Sequence, residues 1–338
     1  MAAANCVRLF WSGSNCALYG SFDTGWIIQT GEFILHHGPP HYDMFSWSCP
    51  DRIFVAYQWL FELLAALTFT LGGLWLIGLL SCLLTGILYF YFLPRIWLSR
   101  GVPPAITFAF LSLVLTPHWF NARPQLISYW FLLTFIVLLE HYRTTRRASV
   151  LCILPILMLL WANIHLFCSI GLILIAIYCI CSLLDKRHSK KPLTLTLIAS
   201  TLMILINPYG LQLVSYFFTF FNHSQYLGMY EVMPSIFFVD AMYVIAYLAI
   251  MVSIIAWKRK YVPLEGFCVV ALATIAALSV RRYESLAVLL TWPYLGMALA
   301  RVSWSQLSGT GGFGLAMKQP IYCCGAAEPC TSHPEIIQ

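Results

Sequence analysis

Charged residues are scarce in this sequence. Of its 338 residues, 19 are Lys or Arg and 13 are Asp or Glu, so 9% of the chain is charged, against about 25% in soluble globular proteins. This scarcity excludes an ordinary soluble domain. The net charge of +6 is spread through short loops and does not form the basic face of a nucleic-acid-binding protein.

Paired cysteine motifs are also lacking. The 12 cysteines contain no repeated CxxC pair, and most lie in apolar runs, where cysteine behaves as a small apolar side chain. The pattern therefore favours neither a disulfide framework nor a zinc site. The terminal cluster CCGAAEPC is typical of an unstructured tail, with metal binding the less favoured reading. We expect no cofactor, and a divalent cation is left as the open alternative.

Long apolar segments are abundant. Hydrophobic residues make up 60% of the chain and the mean hydropathy is +0.80, which indicates an all-α polytopic membrane protein. A bilayer crossing needs roughly 17 to 25 apolar helical residues. About nine segments are candidate spans: Leu74–Pro94, Pro103–Phe120, Pro124–Leu139, Ala148–Ile164, Leu166–Leu184, Pro192–Ile206, Ile236–Trp257, Val262–Val280 and Ser285–Ala300.

Basic residues divide unequally between the two sets of connections. One set and the tail hold 14 Lys and Arg, namely Arg95, Arg100, Arg143, Arg146, Arg147, Lys186, Arg187, Lys190, Lys191, Lys258, Arg259, Lys260, Arg301 and Lys318. The other set holds 5, namely Arg8, Arg52, Arg123, Arg281 and Arg282. By the positive-inside rule the first set is cytoplasmic. This register requires Phe54–Leu71, which ends at a Gly72-Gly73 pair, to lie at the outer interface without crossing.

The polar stretch DTGWIIQTGEFILHHGPPHYDMFSW then lies in an outer loop, residues 23–73. Within Trp26–Leu35, Trp26, Ile27, Phe33 and Ile34 share one helical stripe, which predicts a helix lying in the interface. The segment HGPPHYD breaks this helix, and a second amphipathic helix begins near Gln58. Residues 1–22 are patchily apolar, residues 74–301 form the predicted helix bundle, and residues 302–338 are expected to be a disordered cytoplasmic tail.

These motifs, together with ARPQLISYWFLL, LLWANIHLFCSIGLIL and INPYG, carry a resemblance over roughly residues 23–300. The chain resembles bacterial membrane proteins of the GT-C glycosyltransferase superfamily, whose members include protein O-mannosyltransferases and lipid A aminoarabinose transferases. Such proteins have a first transmembrane helix before the outer loop, and from the sequence we expect this chain to lack it. A second departure is Leu166, where relatives usually have Gly after the histidine of the WANIH motif. A third is Thr24, where many relatives carry a second acid.

The resemblance implies an inverting transfer of a sugar from a polyprenyl-phosphate donor to a lipid, glycan or protein acceptor. It places the reaction on the outer face of a bacterial inner membrane. Because phosphate leaves as a stabilised anion, one carboxylate acting on the acceptor hydroxyl suffices, and Asp23 is the candidate. Arginines suit the phosphate. The expected substrate-binding residues are Asp43, Arg123, His165, Arg281 and Arg282.

Each residue has a structural alternative. Asp23 could cap the helix that follows it, and Asp43 could be a turn residue after Pro39-Pro40. Arg123 could mark the membrane interface, and one of the two adjacent arginines could be an anchor. For His165, hydrogen bonding between helices is the favoured reading.

Two other functions stay open. One is a transporter, which is also polytopic. Transporters typically show internal repeats and a pattern of ionisable residues inside their spans, and this chain shows neither feature. A noncatalytic or decayed membrane protein would also account for a missing first helix.

Overall fold

Helices form most of the part of this protein that the structure describes. The computed structural model describes residues 23–46, 48, 52–100, 102–116, 121–184, 190–222, 231–239 and 241–300. Within these ranges the β-type pairing is limited to an isolated antiparallel bridge between Tyr42 and Ile53. The predicted all-α class is therefore confirmed for the described residues. The predictions for residues 1–22 and 302–338 fall on segments outside them.

The helices of the described ranges follow one another in chain order. The first are α1 (Thr24–His37), α2 (Trp59–Ile87), α3 (Leu93–Leu98), α4 (Ala105–Leu115), α5 (Pro124–Thr145) and α6 (Ile153–Ile164). They are followed by α7 (Cys168–Leu184), α8 (Lys191–Ile204), α9 (Leu211–Asn222), α10 (Ala241–Trp257), α11 (Leu264–Ser279) and α12 (Glu284–Leu299). A π-helical turn over Leu88–Phe92 joins α2 to α3.

Helix α1 packs along the first half of α2. Its residues Ile27 and Ile34 are buried, whereas Gln29 and Glu32 on the opposite face are exposed, as the apolar spacing predicted. Gly31 lies against the main chain of Glu62, which is fully buried. The amphipathic helix predicted at the start of the outer loop is therefore present.

Helix α2 contains a sharp break at Gly72 and Gly73. Gly73 has φ 62° and ψ −160°, a conformation that glycine adopts without steric cost. The break separates Trp59–Leu71 from the more exposed second half. The predicted end of the segment Phe54–Leu71 at this glycine pair is thus confirmed, and the position of the segment relative to a bilayer stays a prediction.

Helix α12 forms the centre of the packed core. The indole rings of Trp97 and Trp292 stack with centroids 4.1 Å apart. Trp97 Nε1 donates to the Trp292 carbonyl over 2.9 Å, and Trp292 Nε1 donates to the Leu93 carbonyl over 3.0 Å. A Cβ atom on Gly296 would lie 2.6 Å from the Trp97 ring, so glycine permits this close packing.

Two helical segments in the described part of the chain are long and apolar enough to cross a membrane, Trp59–Leu98 and Pro124–Thr145. Each of the nine predicted spans coincides with a helix, but most of these helices have 11 to 17 residues. Nine crossings therefore stay a prediction. The sequence analysis missed α9, which begins directly after the turn at Gly210 (φ 53°). Its apolar run is too short for a span.

Candidate functional site

Asp23 and Arg123 form an ion pair. Asp23 Oδ2 lies 2.7 Å from Arg123 Nη2, although the two residues are far apart in the sequence. Asp23 stands at the N-cap position of α1, yet its side chain makes no capping hydrogen bond. The carboxylate therefore does not have the capping role that was its structural alternative, and it contacts the strongest candidate for a phosphate-binding residue.

The local sequence accounts for the position of Arg123. It precedes Pro124, the first residue of α5, and has the extended conformation (φ −124°, ψ 158°) that a residue before proline favours. Its side chain is 16% exposed, so its charge lies in a largely desolvated place. This agrees better with a site residue than with an arginine extended into solvent.

A second carboxylate holds the same guanidinium. Glu231 Oε1 lies 2.7 Å from Arg123 Nη1. Because Asp23 occupies Nη2, one cation is shared between two anions on separate nitrogen atoms. The Nε atom of Arg123 is buried and has no hydrogen-bond partner among the described residues. The guanidinium therefore retains donor capacity.

Arg282 joins this cluster through two contacts. Its main-chain N–H donates to the Glu231 carbonyl over 2.9 Å. With the Gln125 amide oriented so that its oxygen faces Arg282, the Nη2 and Nε atoms of Arg282 donate to that oxygen over 2.6 and 3.0 Å. Gln125 is two residues from Arg123 and is buried. Two of the predicted arginines are therefore brought to one place.

Arg281 has different surroundings. It is 3% exposed, and its guanidinium carbon lies 4.5 Å from the centroid of the Phe238 ring, a cation–π geometry. Its main-chain N–H donates to the Met233 carbonyl over 3.0 Å. These contacts suit the anchoring role considered for one of the two arginines. A substrate-binding role for Arg281 stays a prediction.

His165 lies in the connection between α6 and α7 and hydrogen bonds to α5. Its Nδ1 atom is 2.9 Å from Ser128 Oγ, which also accepts from Trp161 Nε1 over 2.9 Å. Burial, together with the positive charge of Arg282, lowers the pKa of His165 well below its ordinary value. A neutral, buried histidine between two helices matches the structural alternative. The His165 ring nevertheless lies beside the site, because its centroid is 4.3 Å from that of Phe167, whose ring centroid is 5.7 Å from the guanidinium carbon of Arg282.

Asp43 is held within its own loop. Its Oδ1 atom accepts from the main-chain N–H groups of Phe45 and Ser46 over 3.0 and 3.1 Å. Its own N–H donates to the Arg52 carbonyl over 2.9 Å. This is the turn role that the sequence left as the alternative, and a substrate contact for Asp43 stays a prediction.

Three residues in or beside the cluster, Glu231, Gln125 and Ser128, were given no role in the sequence analysis. From the sequence, Glu231 is by default an ordinary acidic loop residue, and no spacing rule connects it with Arg123. Gln125 and Ser128 lie two and five residues after Arg123 in the sequence, so a helical projection of ARPQLIS could have placed them near it. Among the described residues no group of three or more His, Cys, Asp or Glu side chains could hold a metal ion.

Comparisons with family models, with curated proteins and with solved structures gave no match. The resemblance to GT-C glycosyltransferases therefore rests on the sequence motifs. The chemistry of the site has to be argued from its own geometry. That geometry brings the Asp23 carboxylate and the guanidinium groups of Arg123 and Arg282 to one place.

Proposed function

We propose that this protein is an integral membrane glycosyltransferase that moves a sugar from a polyprenyl-phosphate donor to an acceptor hydroxyl on the extracytoplasmic face. The observation that carries the proposal is the 2.7 Å contact between Asp23 and Arg123. It brings together the two residue types that the reaction needs, a base and a phosphate ligand.

In the proposed reaction Asp23 removes the proton of the acceptor hydroxyl. The acceptor oxygen then bonds to the anomeric carbon, and the bond from that carbon to the donor phosphate oxygen breaks with inversion. Polyprenyl phosphate leaves with the bonding electron pair, and Arg123 and Arg282 compensate its negative charge. Because a phosphate leaves as an anion, the reaction does not need the second carboxylic acid of a glycosidase.

The apolar surface supports a lipid setting. Leu71 and Val239 are both 82% exposed, and Trp75 and Trp257 are 71% and 75% exposed. Apolar side chains this large and this exposed indicate contact with something other than water. An open groove beside Asn163, lined by Trp59, Leu60, Leu159 and Leu160, is a suitable surface for part of an isoprenoid chain.

The rival reading is a noncatalytic protein in which the ion pair has a structural role. The partial burial of Arg123, with two carboxylates against it, favours that reading as well, because a desolvated cation requires compensation. A transfer assay separates the two. In that assay, radiolabelled polyprenyl-phosphate sugars of several kinds are supplied to membrane vesicles that contain the protein.

The decisive variant is Asp23→Asn, which keeps the size of the side chain. General-base catalysis is worth roughly 100- to 10,000-fold in rate, so a catalytic role predicts a loss of at least about 100-fold. Asp43→Asn is the comparison variant and is expected to lose less activity than Asp23→Asn, since Asp43 hydrogen bonds within its own turn. Wild-type turnover by Asp23→Asn, or no transfer of any polyprenyl-linked sugar by the wild type, would favour the structural reading.

A further inference from the structure

The two carboxylates on Arg123 occupy different positions on its guanidinium. Asp23 lies on Nη2, whereas Glu231 lies on Nη1. In an arginine side chain, Nε and Nη2 form one edge, whose two N–H groups point in the same direction and suit bidentate binding of a phosphate or carboxylate. Asp23 uses one nitrogen of that edge, and Nε has no hydrogen-bond partner among the described residues.

A phosphate that binds this edge in the bidentate manner has to take Nη2 from Asp23. Glu231 is not in competition for the edge, because Nη1 lies at the other end of the guanidinium. The main chain of Glu231 is also fixed, since its carbonyl accepts from the Arg282 N–H over 2.9 Å. An anion that binds this edge would therefore displace Asp23 from Nη2 and leave Glu231 on Nη1.

We propose that a phosphate-bearing ligand displaces Asp23 from Nη2 of Arg123 by binding the Nε–Nη2 edge, while Glu231 keeps Nη1 and acts as a positioning residue for Arg123. The proposal rests on the proposed function, because it concerns the base and the phosphate ligand of that reaction. Without a phosphate, Asp23 Oδ2 accepts from Nη2 of Arg123, and displacement by the donor phosphate frees this oxygen for an acceptor hydroxyl.

The test measures binding of farnesyl monophosphate to the purified protein in detergent by titration calorimetry, with uncharged farnesol as the reference ligand. Asp23→Asn removes the competitor and tightens farnesyl monophosphate binding by about tenfold, the equivalent of roughly 1.4 kcal/mol. Glu231→Gln lets Arg123 turn fully toward Asp23 and weakens binding by about three- to tenfold. Neither variant changes the affinity for farnesol, and Glu32→Gln, which removes the charge of an exposed acid on α1, changes neither affinity.

The proposal predicts that the two carboxylate-to-amide changes shift the affinity for farnesyl monophosphate in opposite directions. Simple electrostatics predicts the same direction for both, because the loss of any nearby negative charge tightens anion binding. Tighter binding in both variants would overturn the positioning role of Glu231. Unchanged or weaker binding in Asp23→Asn would overturn the competition itself. Asp23→Ser is the second variant, because serine is favoured at helix N-caps and also removes the charge.

The binding assay contains no sugar, so its result is separate from that of the transfer assay. Tighter phosphate binding in Asp23→Asn combined with no transfer by the wild type overturns the proposed function and retains the competition. Transfer by the wild type that is lost in Asp23→Asn without tighter phosphate binding overturns the competition and retains the proposed function.

Discussion

The Cα atom of Gly31 lies directly against the main-chain carbonyl of Glu62. A Cβ atom at position 31 would be 2.0 Å from that oxygen and 2.8 Å from the Cβ atom of Ala66. No flexible side chain could move aside to make room for it. Because α1 begins directly after Asp23, this contact between α1 and α2 fixes the position of the candidate base.

Gly31→Ala is therefore expected to separate α1 from α2 and to destabilise the protein by about 1–3 kcal/mol, the usual cost of overpacking. Sugar transfer is expected to fall with it, because Asp23 moves relative to Arg123. Thermal unfolding in detergent and the vesicle transfer assay measure the two effects.

Gly25→Ala in the same helix is the matched control. No atom lies within 4 Å of a Cβ at position 25, and alanine is favoured over glycine in a helix by up to about 1 kcal/mol. Its unfolding midpoint is expected to be equal to or above that of the wild type. Equal unfolding midpoints for Gly31→Ala and Gly25→Ala would show that α1 does not pack against the main chain of Glu62.

The sequence allowed α1 and the break in α2 to be predicted because both follow from local rules. An apolar stripe specifies which face of a helix is buried, and a glycine pair specifies where a helix is interrupted. The grouping of Asp23 with Arg123 was anticipated more coarsely. The charge count placed both on one side, and their direct contact depends on how α1 packs against the start of α5.

Glu231 could not be assigned in the same way. Its contact with Arg123 joins residues 108 positions apart, and a single acid in a loop has no periodicity from which a partner can be inferred. The turn of Asp43 illustrates the opposite case. Its hydrogen bonds reach residues two and three positions further on. The local sequence pattern after Pro39-Pro40 was therefore sufficient to suggest a turn role for Asp43.

The unequal distribution of Lys and Arg predicts opposite sides of the membrane for Ser48 and Arg147, both of which are exposed. In a variant freed of native cysteines, Ser48→Cys is expected to react with an impermeant maleimide in intact cells. Arg147→Cys is expected to react only after the cells are permeabilised. Reaction of Arg147→Cys from outside would reverse the topology and with it the extracytoplasmic position of Asp23.

His165 gives the protein an expected dependence of stability on pH. Burial and Arg282 lower its pKa in the folded state below the ordinary value of 6.5, so the folded protein binds fewer protons there than the unfolded chain. Stability is therefore fully present above about pH 6.5 and falls as the pH decreases below it. Between pH 7.5 and 5.5 this one residue accounts for a loss of about 1.4 kcal/mol.

His165→Asn tests this, because the asparagine amide can keep a hydrogen bond to Ser128 and cannot become charged. The measurement is the unfolding free energy in detergent at pH 7.5 and at pH 5.5. The wild type is expected to lose about 1.4 kcal/mol more than the variant over this interval. His141→Asn, which replaces an exposed histidine, is expected to follow the wild type. If His165→Asn does so too, His165 is not buried beside Arg282 in the folded protein.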